Sequence, residues 1–376
     1  MLSKLDDQAT IIMGQSPPGD SYNKEGKGAP LLNGPTEFGP LHPMEKQWTT
    51  SPTKFCQAGD VLFCVRGATA GRINVADKEY CLGRGLAAIR AKSGKFDSAF
   101  LLHVLRNGYA TFQARGVGST FINLSGEELA NFAVPTLPLL EQQRIAAMLD
   151  MAEALRTKRR AALAQIDTLN QSIFLDMFGD PVINSRGWPL KKFGDVGTLG
   201  RGISKHRPRN APELLGGSYP LVQTGEIANC GGYIRAYNST YSDVGLRQSK
   251  MWPAGTLCIT IAANIAKTGI LTFDACFPDS VVGFRSEEPA IVEFIRAWLS
   301  FLQKSLEENA PESAQKNINL AILRDLNVPL PPVRDQREFA CRVAAAEKLK
   351  ATHRTSLAEL DALFASLQHR AFKGEL

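Results

Sequence analysis

Two segments of the chain repeat apolar residues at the spacing of a helix that packs along a seam. In the first segment, the a positions of a seven-residue repeat are Ile145, Ala152, Arg159, Ile166 and Ile173. The d positions are Met148, Leu155, Ala162, Leu169 and Asp176. No glycine or proline interrupts residues 139–178. Since alternating spacings of three and four residues let helices pack knobs into holes, the pattern predicts one long helix.

The same register recurs near the end of the chain, where residues 333–372 also lack glycine and proline. Its a positions are Phe339, Ala346, His353, Leu360 and Leu367, and its d positions are Arg342, Leu349, Ser356, Leu363 and Arg370. We expect helix-pairing contacts from the larger apolar residues of both seams, which are Ile145, Leu155, Ile166, Leu169, Ile173, Phe339, Leu349, Leu360, Leu363 and Leu367. Leu149, Leu163 and Met177 flank the first seam, where they would either join it or contact a partner.

The two helical segments belong to an internal repeat. Residues 134–178 align with residues 328–372 at an offset of 194 without a gap, and 15 of the 45 positions are identical. The match extends backwards more faintly, for example from Ile122-Asn-Leu124 to Ile318-Asn-Leu320. The chain therefore consists of two tandem halves, each with a variable globular part followed by a better-matched helix.

The two long helices are expected to pair with each other, because each apolar seam would otherwise face water. The alternative is that each helix covers only its own globular half. A helix of about forty residues is roughly 60 Å long, so the pair would form an extended spacer. Prolines precede both helices, and Gly179 and Gly374 follow them, as is typical of helix starts and ends.

The globular segments contain short apolar runs bounded by turn-forming residues. These runs predict strands at 61–65, 86–91, 257–261 and 281–285, and helices at 98–111 and 291–306. The strand order is not deducible, because alternation along the runs is irregular. The predicted fold class is mixed α+β: two α/β domains joined by two long antiparallel coiled-coil helices, as a pseudo-twofold tandem repeat. The predicted segments are 1–135, 136–180, 181–332 and 333–376.

Composition narrows the class of protein. The chain has 376 residues, 44% hydrophobic and 21% charged, which is ordinary for a folded soluble protein. A net charge of +6 permits a polyanionic partner without requiring one. The seven cysteines show no CxxC spacing, so neither a disulfide framework nor a metal site is expected. No secretory signal and no membrane-spanning stretch is recognisable, and we expect a cytoplasmic protein without membrane contact.

No catalytic motif stands out. The chain lacks a P-loop, HExxH, GxSxG and a CxxC pair. Ser16-Pro-Pro-Gly19 is similar to the loop that amino-methyltransferases place against a flipped base, but it ends in glycine where those enzymes have an aromatic residue. The histidines are scattered, and no pair of carboxylates suggests an acid and a base. We therefore expect no catalytic residue and no cofactor.

The duplicated segments resemble a known family. Val-Pro-Thr-Leu-Pro-Leu-Leu-Glu-Gln-Gln-Arg at 134–144, Phe-Gly-Asp-Pro at 178–181 and Val-Pro-Leu-Pro-Pro-Val-Arg-Asp-Gln-Arg at 328–337 are similar to the conserved regions of specificity subunits of type I restriction–modification systems. The resemblance covers essentially the whole chain. The second copy departs from the pattern, since Arg334 and Asp335 replace Leu-Glu, and Arg342, His353 and Ser356 make its seam more polar.

The resemblance implies a function. Such a subunit binds a bipartite, gapped site in double-stranded DNA. Each of its two target-recognition domains reads one half-site, while the helices keep the halves a fixed distance apart. It recruits two modification subunits, which bind S-adenosylmethionine and methylate adenine. Restriction subunits, which use ATP and Mg²⁺, add DNA translocation and cleavage. The specificity subunit itself is non-catalytic.

Candidate DNA-contacting residues are those with side chains suited to base edges or phosphates, in loops of both globular segments. In the first segment they are Gln15, Ser16, Asn33, Arg66, Thr69, Arg84, Ser119 and Thr120. In the second they are Arg201, Lys205, Arg207, Arg209, Gln223, Thr224, Asn264, Lys267, Gln315, Lys316 and Asn317. The stretch from Arg201 to Arg209 is the densest basic cluster of the chain and is expected to grip phosphate.

Two other functions remain open from the residues. One is a stand-alone DNA-modifying enzyme with a cryptic site, which would transfer a methyl group without a partner. The other is a coiled-coil scaffold for proteins, which would not bind duplex DNA in a salt-sensitive way.

Overall fold

The computed structural model of the protein describes residues 2–114, 122–262, 265–308, 318–373 and 375–376. The chain divides into two compact units: unit 1 comprises Met1–Arg160 and Thr355–Leu376, and unit 2 comprises Ala161–Arg354. Each long helix contributes one part to each unit, so the units cut across the four predicted segments. Among the described residues, none of the helices combines the length and apolar character that a membrane crossing requires.

Unit 1 is built from short strands, and its helices pack in one of the two apolar clusters that the strands β7 and β10 share. Its strands are β1 Leu2–Lys4, β2 Ala9–Met13, β3 Tyr22–Asn23, β4 Ala29–Leu32, β5 Trp48–Thr49, β6 Phe55–Cys56, β7 Val61–Cys64, β8 Ile73–Val75, β9 Tyr80–Leu82, β10 Leu86–Ala91 and β11 Ala133–Pro135. Its short helices are α1 Leu5–Gln8, α2 Ser98–Asn107, α3 Tyr109–Ala114 and α4 Gly126–Ala130. The first long helix, α5, spans Leu139–Phe178.

Unit 2 repeats this plan. Its strands are β12 Leu190–Lys192, β13 Thr198–Arg201, β14 Leu215–Leu221, β15 Tyr233–Ile234, β16 Ser239–Tyr241, β17 Met251–Trp252, β18 Leu257–Thr260, β19 Thr268–Leu271, β20 Ala275–Cys276, β21 Val281–Arg285 and β22 Asn327–Pro329. Its short helices are α6 Phe193–Val196, α7 Thr224–Asn229, α8 Asp243–Arg247, α9 Pro289–Glu308 and α10 Leu320–Asp325. The second long helix, α11, spans Val333–Lys373.

The sheets of the two units correspond. Unit 1 has an antiparallel sheet in the order β2-β10-β7-β8 and a second sheet in the order β3-β5-β4-β9-β6. Unit 2 has β13-β21-β18-β19-β15 and β16-β14-β20-β17. In each unit a two-stranded ribbon, β1-β11 or β12-β22, joins the start of the globular part to the segment before a long helix. The faint sequence match between the halves therefore reflects a repeated fold.

The predicted elements agree well with the observed ones. Strands β10 and β21 have the predicted bounds, and β7 and β18 end one residue early. The predicted helix at 98–111 is divided between α2 and α3, and α9 extends the helix predicted at 291–306. Both long helices are confirmed. Gly179 follows α5 with φ +74°, a left-handed conformation that favours glycine after a helix. Gly374 lies outside the described residues.

The seam of the long helices differs from the predicted one. The predicted a positions of both helices are buried or half-buried, but the second row is the a+4 row. That row contains Leu149, Arg156, Leu163, Asn170 and Met177 on α5, and Val343, Lys350, Leu357, Phe364 and Ala371 on α11. The predicted pairing residues Leu155, Leu169, Leu349 and Leu363 are instead between 41% and 53% exposed. Both helices carry leucines in the a+3 and the a+4 row, and both rows also hold charged residues, so apolar spacing does not separate the two rows on α5. On α11 the a+4 row is the more apolar of the two, and the predicted register overlooked this.

The remaining predicted pairing residues lie on the inner face. Ile145, Ile166 and Phe339 are buried, and Ile173, Leu360 and Leu367 are half-buried. Leu149, Leu163 and Met177, which were expected to flank the seam, are part of it.

The two long helices contact each other within each unit. In unit 1, Arg156 donates to Asp361 (Nε–Oδ1 2.6 Å), and its guanidinium lies 4.3 Å from the centre of the Phe364 ring. In unit 2, Lys350 forms an ion pair with Asp167, and the rings of Phe174 and Phe339 are 5.6 Å apart. Contacts in unit 2 join rising numbers on α5 to falling numbers on α11, so the helices are antiparallel, as predicted.

The two ion pairs between the long helices occupy equivalent positions of the internal repeat. Arg156 aligns with Lys350, and Asp361 aligns with Asp167. Each basic residue also contacts a glutamate three residues earlier, Glu153 or Glu347. A charged residue within a helix seam is stabilised only where an opposite charge lies within reach on the other helix. These pairs therefore favour one helix register over the alternatives.

A buried glutamine attaches the start of α5 to unit 1. The Gln142 amide donates to the carbonyls of Lys95 (3.0 Å) and Leu137 (2.9 Å), and its oxygen accepts from the Asp97 N–H (2.8 Å). Its repeat counterpart, Gln336 in unit 2, donates to the carbonyl of Pro331 (2.8 Å). The Gln336 oxygen is buried and has no hydrogen-bond partner among the described residues. The glutamine at this repeat position thus uses both its amide nitrogen and its oxygen in hydrogen bonds in unit 1, but only its amide nitrogen in unit 2.

We expect Gln142→Ala to lower the free energy of unfolding by about 2 kcal/mol or more, because it leaves three backbone groups unpaired near the core. Gln336→Ala is the matched control and should cost about 1 kcal/mol, since it also removes an unsatisfied oxygen. Urea unfolding of both variants measures the difference. Equal losses would contradict this account of the two glutamines.

His103 links α2 to both long helices in unit 1. Its side chain is buried, its Nε2 lies 2.8 Å from Asp150 Oδ1 on α5, and its ring packs 6.5 Å from Phe364 on α11. Burial lowers the pKa of His103, and the nearby Arg106 acts in the same direction, while Asp150 and Glu153 oppose them. A neutral ring donates from Nε2 and leaves no N–H unpaired at Nδ1, which has no partner among the described atoms.

Unit 1 should lose stability as pH falls below about 6.5, the usual pKa of histidine. The unfolded chain then binds a proton that folded His103 resists, so the free energy of unfolding falls until pH passes the lowered folded pKa. Denaturant unfolding between pH 7.5 and 5 should show this fall, and His103→Gln should flatten it. His369→Gln, which removes an exposed ring on α11, is the control. A wild-type slope that survives His103→Gln would exclude this residue as the cause.

Candidate nucleic-acid interface

In unit 1, several predicted DNA-contacting residues meet at one edge of a sheet. The register pairs Met13 with Ala87, Cys64 with Leu86 and Phe63 with Ile73. The loop after β2, the turn before β10 and the turn after β7 therefore leave the sheet at the same edge. We call Gln15, Ser16, Arg66, Thr69 and Arg84, which lie in these three loops, the edge surface of unit 1.

Backbone hydrogen bonds hold these loops together. The Gly14 N–H donates to the Leu86 carbonyl (2.9 Å), and the Val65 N–H donates to the Gly85 carbonyl (2.9 Å). The Arg84 N–H donates to Ser16 Oγ (3.3 Å), which joins two of the predicted residues directly. The backbones of these three loops are thus fixed, while side chains such as Arg84 extend from them.

The side chains of the edge surface suit a polyanion. Gln15, Arg66 and Arg84 are exposed, and Ser16 and Thr69 are half-buried. Within the described part of the chain, neither arginine pairs with a carboxylate. Asn33 packs beside Gly83, and its amide donates to Gln47 Oε1 (2.8 Å), so its side chain supports the neighbouring turn. The edge surface is positively charged and able to donate hydrogen bonds.

Unit 2 has the same edge. Arg201 pairs with Val282, Thr260 with Val281 and Ile259 with Thr268. The Gly202 N–H donates to the Val281 carbonyl (2.8 Å), and the Ile261 N–H donates to the Ser280 carbonyl (3.0 Å). These are the counterparts of the two bonds in unit 1. Lys267 lies at this edge, where its N–H donates to Thr260 Oγ1 (3.0 Å).

The basic cluster predicted to grip phosphate surrounds one carboxylate. Arg209 Nη2 donates to Asp279 Oδ1 (2.6 Å), and Arg207 Nη2 donates to Asp279 Oδ2 (3.4 Å). Arg201 Nε donates to the Asp279 carbonyl. Lys205 remains exposed, and its N–H donates to Gln248 Oε1 (2.7 Å). The cluster is thus less positive than its sequence suggests, and two of its guanidinium groups are held in place.

A cavity connects this cluster with two further predicted residues. It has a volume of about 250 Å³ and is lined by Arg209, Gln223, Thr224, Tyr241 and Ser280, among others. Gln223 and Thr224 stand at the start of α7, where the Gln223 N–H donates to Glu226 Oε2 (3.1 Å). We call Arg201, Lys205, Arg207, Arg209, Gln223, Thr224, Lys267 and Asp279 the edge surface of unit 2.

Six predicted residues fall outside the described residues: Ser119, Thr120, Asn264, Gln315, Lys316 and Asn317. Two residues that hold the basic loop were not predicted, namely Asp279 and Gln248. Asp279 lies 70 positions after Arg209, and an acidic residue is a poor candidate for DNA contact on its own. In the sequence, Asp279 was marked only by its position, which is next to the residue that aligns with Arg84 in the internal repeat.

Curated relatives support one family. The chain is 37% identical over 163 residues to a protein of Methanocaldococcus jannaschii whose name describes a specificity subunit of the type I restriction enzyme MjaX. The aligned residues cover 43% of this chain and 38% of that protein. It is 26% identical over 333 residues to the specificity subunit of the type I restriction enzyme EcoBI of Escherichia coli, covering 78% of this chain and 69% of that protein.

Solved structures share the fold. The S subunit of a type I restriction–modification system from M. genitalium superposes with a TM-score of 0.63 at 15% identity, over 99% of this chain and 96% of that one. A structure from a study of complex assembly and conformational transition of the type I R-M system also gives 0.63, at 18% identity over 100% and 98%.

The family model described as type I restriction modification DNA specificity domain matches residues 1–165 and 185–362. These two matches contain both globular parts, both edge surfaces and most of each long helix. The chain therefore belongs to the type I restriction–modification DNA specificity family.

Proposed function

We propose that this chain is a non-catalytic specificity subunit that recognises a bipartite, gapped DNA sequence and brings adenine-methylating modification subunits to it. The observation that carries this proposal is the duplicated edge surface. Each unit presents exposed basic side chains from loops at the same edge of corresponding sheets, and the side chains at the two edges differ. A duplicated fold that presents different side chains at its two edges is suited to binding two different half-sites.

The long helices would set the gap between the half-sites. Helices α5 and α11 have 40 and 41 residues, and each is continuous from one unit into the other. The ion pairs Arg156–Asp361 and Lys350–Asp167 resist sliding of one helix along the other. We propose that a fixed helix register keeps the number of base pairs between the half-sites constant.

The leucines left outside the seam supply a surface for partners. Leu155 and Leu169 on α5 and their counterparts Leu349 and Leu363 on α11 form matching exposed positions on the two helices. Exposed apolar side chains on a long helix are suited to burial against another protein. We propose that two modification subunits, which would carry S-adenosylmethionine, cover these positions. Restriction subunits using ATP and Mg²⁺ would join the same assembly.

Two assays test the proposal. The purified chain should bind duplex DNA with an affinity whose logarithm falls linearly with the logarithm of salt concentration. With labelled S-adenosylmethionine, methyl transfer to DNA should require added modification subunits. Methyl transfer by the chain alone would instead indicate a DNA-modifying enzyme, and an absence of salt-dependent duplex binding would indicate a protein scaffold.

A further inference from the structure

We propose that Asp279 determines the base preference of unit 2 by fixing the guanidinium group of Arg209 for contacts with base edges. This inference rests on the proposed function, because it concerns how one of the two edge surfaces reads its half-site.

The carboxylate is placed to orient both arginines. Its two oxygens accept from different guanidinium groups, Oδ1 from Arg209 at 2.6 Å and Oδ2 from Arg207 at 3.4 Å. Arg207 Nη1 also donates to the carbonyls of Ser204 (2.7 Å) and His206 (2.8 Å), which uses most of its hydrogen-bonding capacity inside the loop. Arg207 therefore shapes the loop, whereas Arg209 is held at one nitrogen only.

Two further side chains hold the loop that carries the arginines. Gln248 Oε1 accepts from the N–H groups of Lys205 (2.7 Å) and His206 (3.1 Å). Ser249 Oγ donates to the carbonyl of Ile203 (2.8 Å). The arginine-bearing loop is thus preorganised before any ligand binds, which reduces the ordering cost of a directional contact.

Arg209 keeps the donors that a base contact needs. Half of its side chain is exposed, and its Nε, its Nη1 and the second N–H of its Nη2 have no partner within the described ranges. It lines the 250 Å³ cavity beside Gln223 and Thr224. Arginine reads guanine and glutamine reads adenine through paired hydrogen bonds in the major groove. Such contacts need a guanidinium plane in one orientation, and the bond from Arg209 Nη2 to Asp279 Oδ1 restricts that orientation.

Charge argues against a purely electrostatic role for this cluster. A carboxylate among arginines lowers the attraction to phosphate, and phosphate contacts carry no sequence information. Asp279 therefore reduces the positive charge that phosphate binding requires, but it restricts the orientation of the arginine, as base recognition requires. An oriented base-reading arginine is thus the alternative to the phosphate contact predicted for this cluster.

Comparison of the two units supports a role in specificity. The Val65–Gly85 bond in unit 1 corresponds to the Ile261–Ser280 bond in unit 2. The residue just before the accepting carbonyl is Arg84 in unit 1 and Asp279 in unit 2. One position of a repeated scaffold thus carries opposite charges. A residue needed only for folding has no reason to differ in this way, whereas a residue that selects bases does.

The experiment uses the full chain and fluorescent duplexes that the wild-type protein selects from random DNA, together with every single-base variant of both half-sites. Asp279→Asn preserves the shape of the side chain but removes its charge and one acceptor. We expect discrimination at one or two base pairs of one half-site to fall by about fivefold to a hundredfold, the range for a lost bidentate contact. Discrimination at the other half-site should stay unchanged, and affinity for unrelated duplexes should rise.

Two further variants separate the possible causes. Glu287→Gln removes the same charge from an exposed residue beyond the opposite end of β21, and it should leave discrimination intact. Arg209→Lys keeps the charge but loses the planar group, and it should lose discrimination at the same base pairs as Asp279→Asn. Thermal melting of each variant checks that unit 2 is folded.

The outcomes are distinct. If Asp279→Asn raises affinity for all duplexes alike and discrimination persists, Asp279 only adjusts charge and the inference is wrong. If Arg209→Lys leaves discrimination intact, Asp279 does not act through Arg209, and the inference is again wrong. If the wild-type chain selects no sequence at all, the proposed function itself fails.

Discussion

A proline at position 155 is expected to destabilise the protein by about 3 kcal/mol or more, because it removes a backbone hydrogen bond in the middle of α5 and clashes with the preceding turn. Leu155 lies near the centre of a helix that contributes to both units. We therefore also expect Leu155→Pro to prevent assembly with the modification subunits. Urea unfolding and size-exclusion chromatography with added partner measure the two effects.

Leu155→Ala is the matched control for this variant. The leucine side chain is 53% exposed, and alanine is the best helix former. The alanine variant should change the free energy of unfolding by at most about 0.5 kcal/mol. A proline variant as stable as this control, and still able to assemble, would mean that the continuity of α5 is not what organises the protein.

Phe174→Ala should cost about 3–5 kcal/mol in unit 2, the usual range for removing a buried aromatic ring. Phe174 is fully buried, and its ring lies within 5.6 Å of the rings of Phe178, Phe294, Phe301 and Phe339. These partners come from α5, α9 and α11, so the cluster joins both long helices to the globular part. Denaturant unfolding measures the loss.

The neighbouring residue provides the control for Phe174. Leu175 is 42% exposed, and Leu175→Ala should have a small effect. The double variant Phe174→Ala with Phe339→Ala should cost less than the sum of the single variants, because the two rings contact each other. Additive losses would indicate that α5 and α11 are not coupled at this point.

Local patterns were sufficient to predict most elements, including the long helices and strands β10 and β21. They were not sufficient for the helix seam. Both candidate rows of α5 contain leucines, and the polar side chains of Arg156 and Asn170 interrupt the row that forms the seam. The charge of Arg156 is balanced by Asp361, which lies 205 positions further along the chain. Only the tertiary structure reveals that partner, so the pattern of α5 alone did not identify the row that forms the seam.

The same reason limits the prediction of the edge surfaces. The loops containing Ser16, Arg66 and Arg84 are separated along the chain and meet only because antiparallel pairing brings their strand ends together. Residue type was enough to nominate these side chains one by one. The orienting carboxylate of Asp279 was missed, since its role depends on contacts with residues that are distant in sequence.

Selection of bound duplexes from random DNA, by the chain assembled with its modification subunits, tests the central claim most directly. Two edge surfaces joined by continuous helices predict two conserved blocks of bases separated by a constant number of unspecified base pairs. One contiguous block, a gap of variable length, or no enriched sequence would contradict the account.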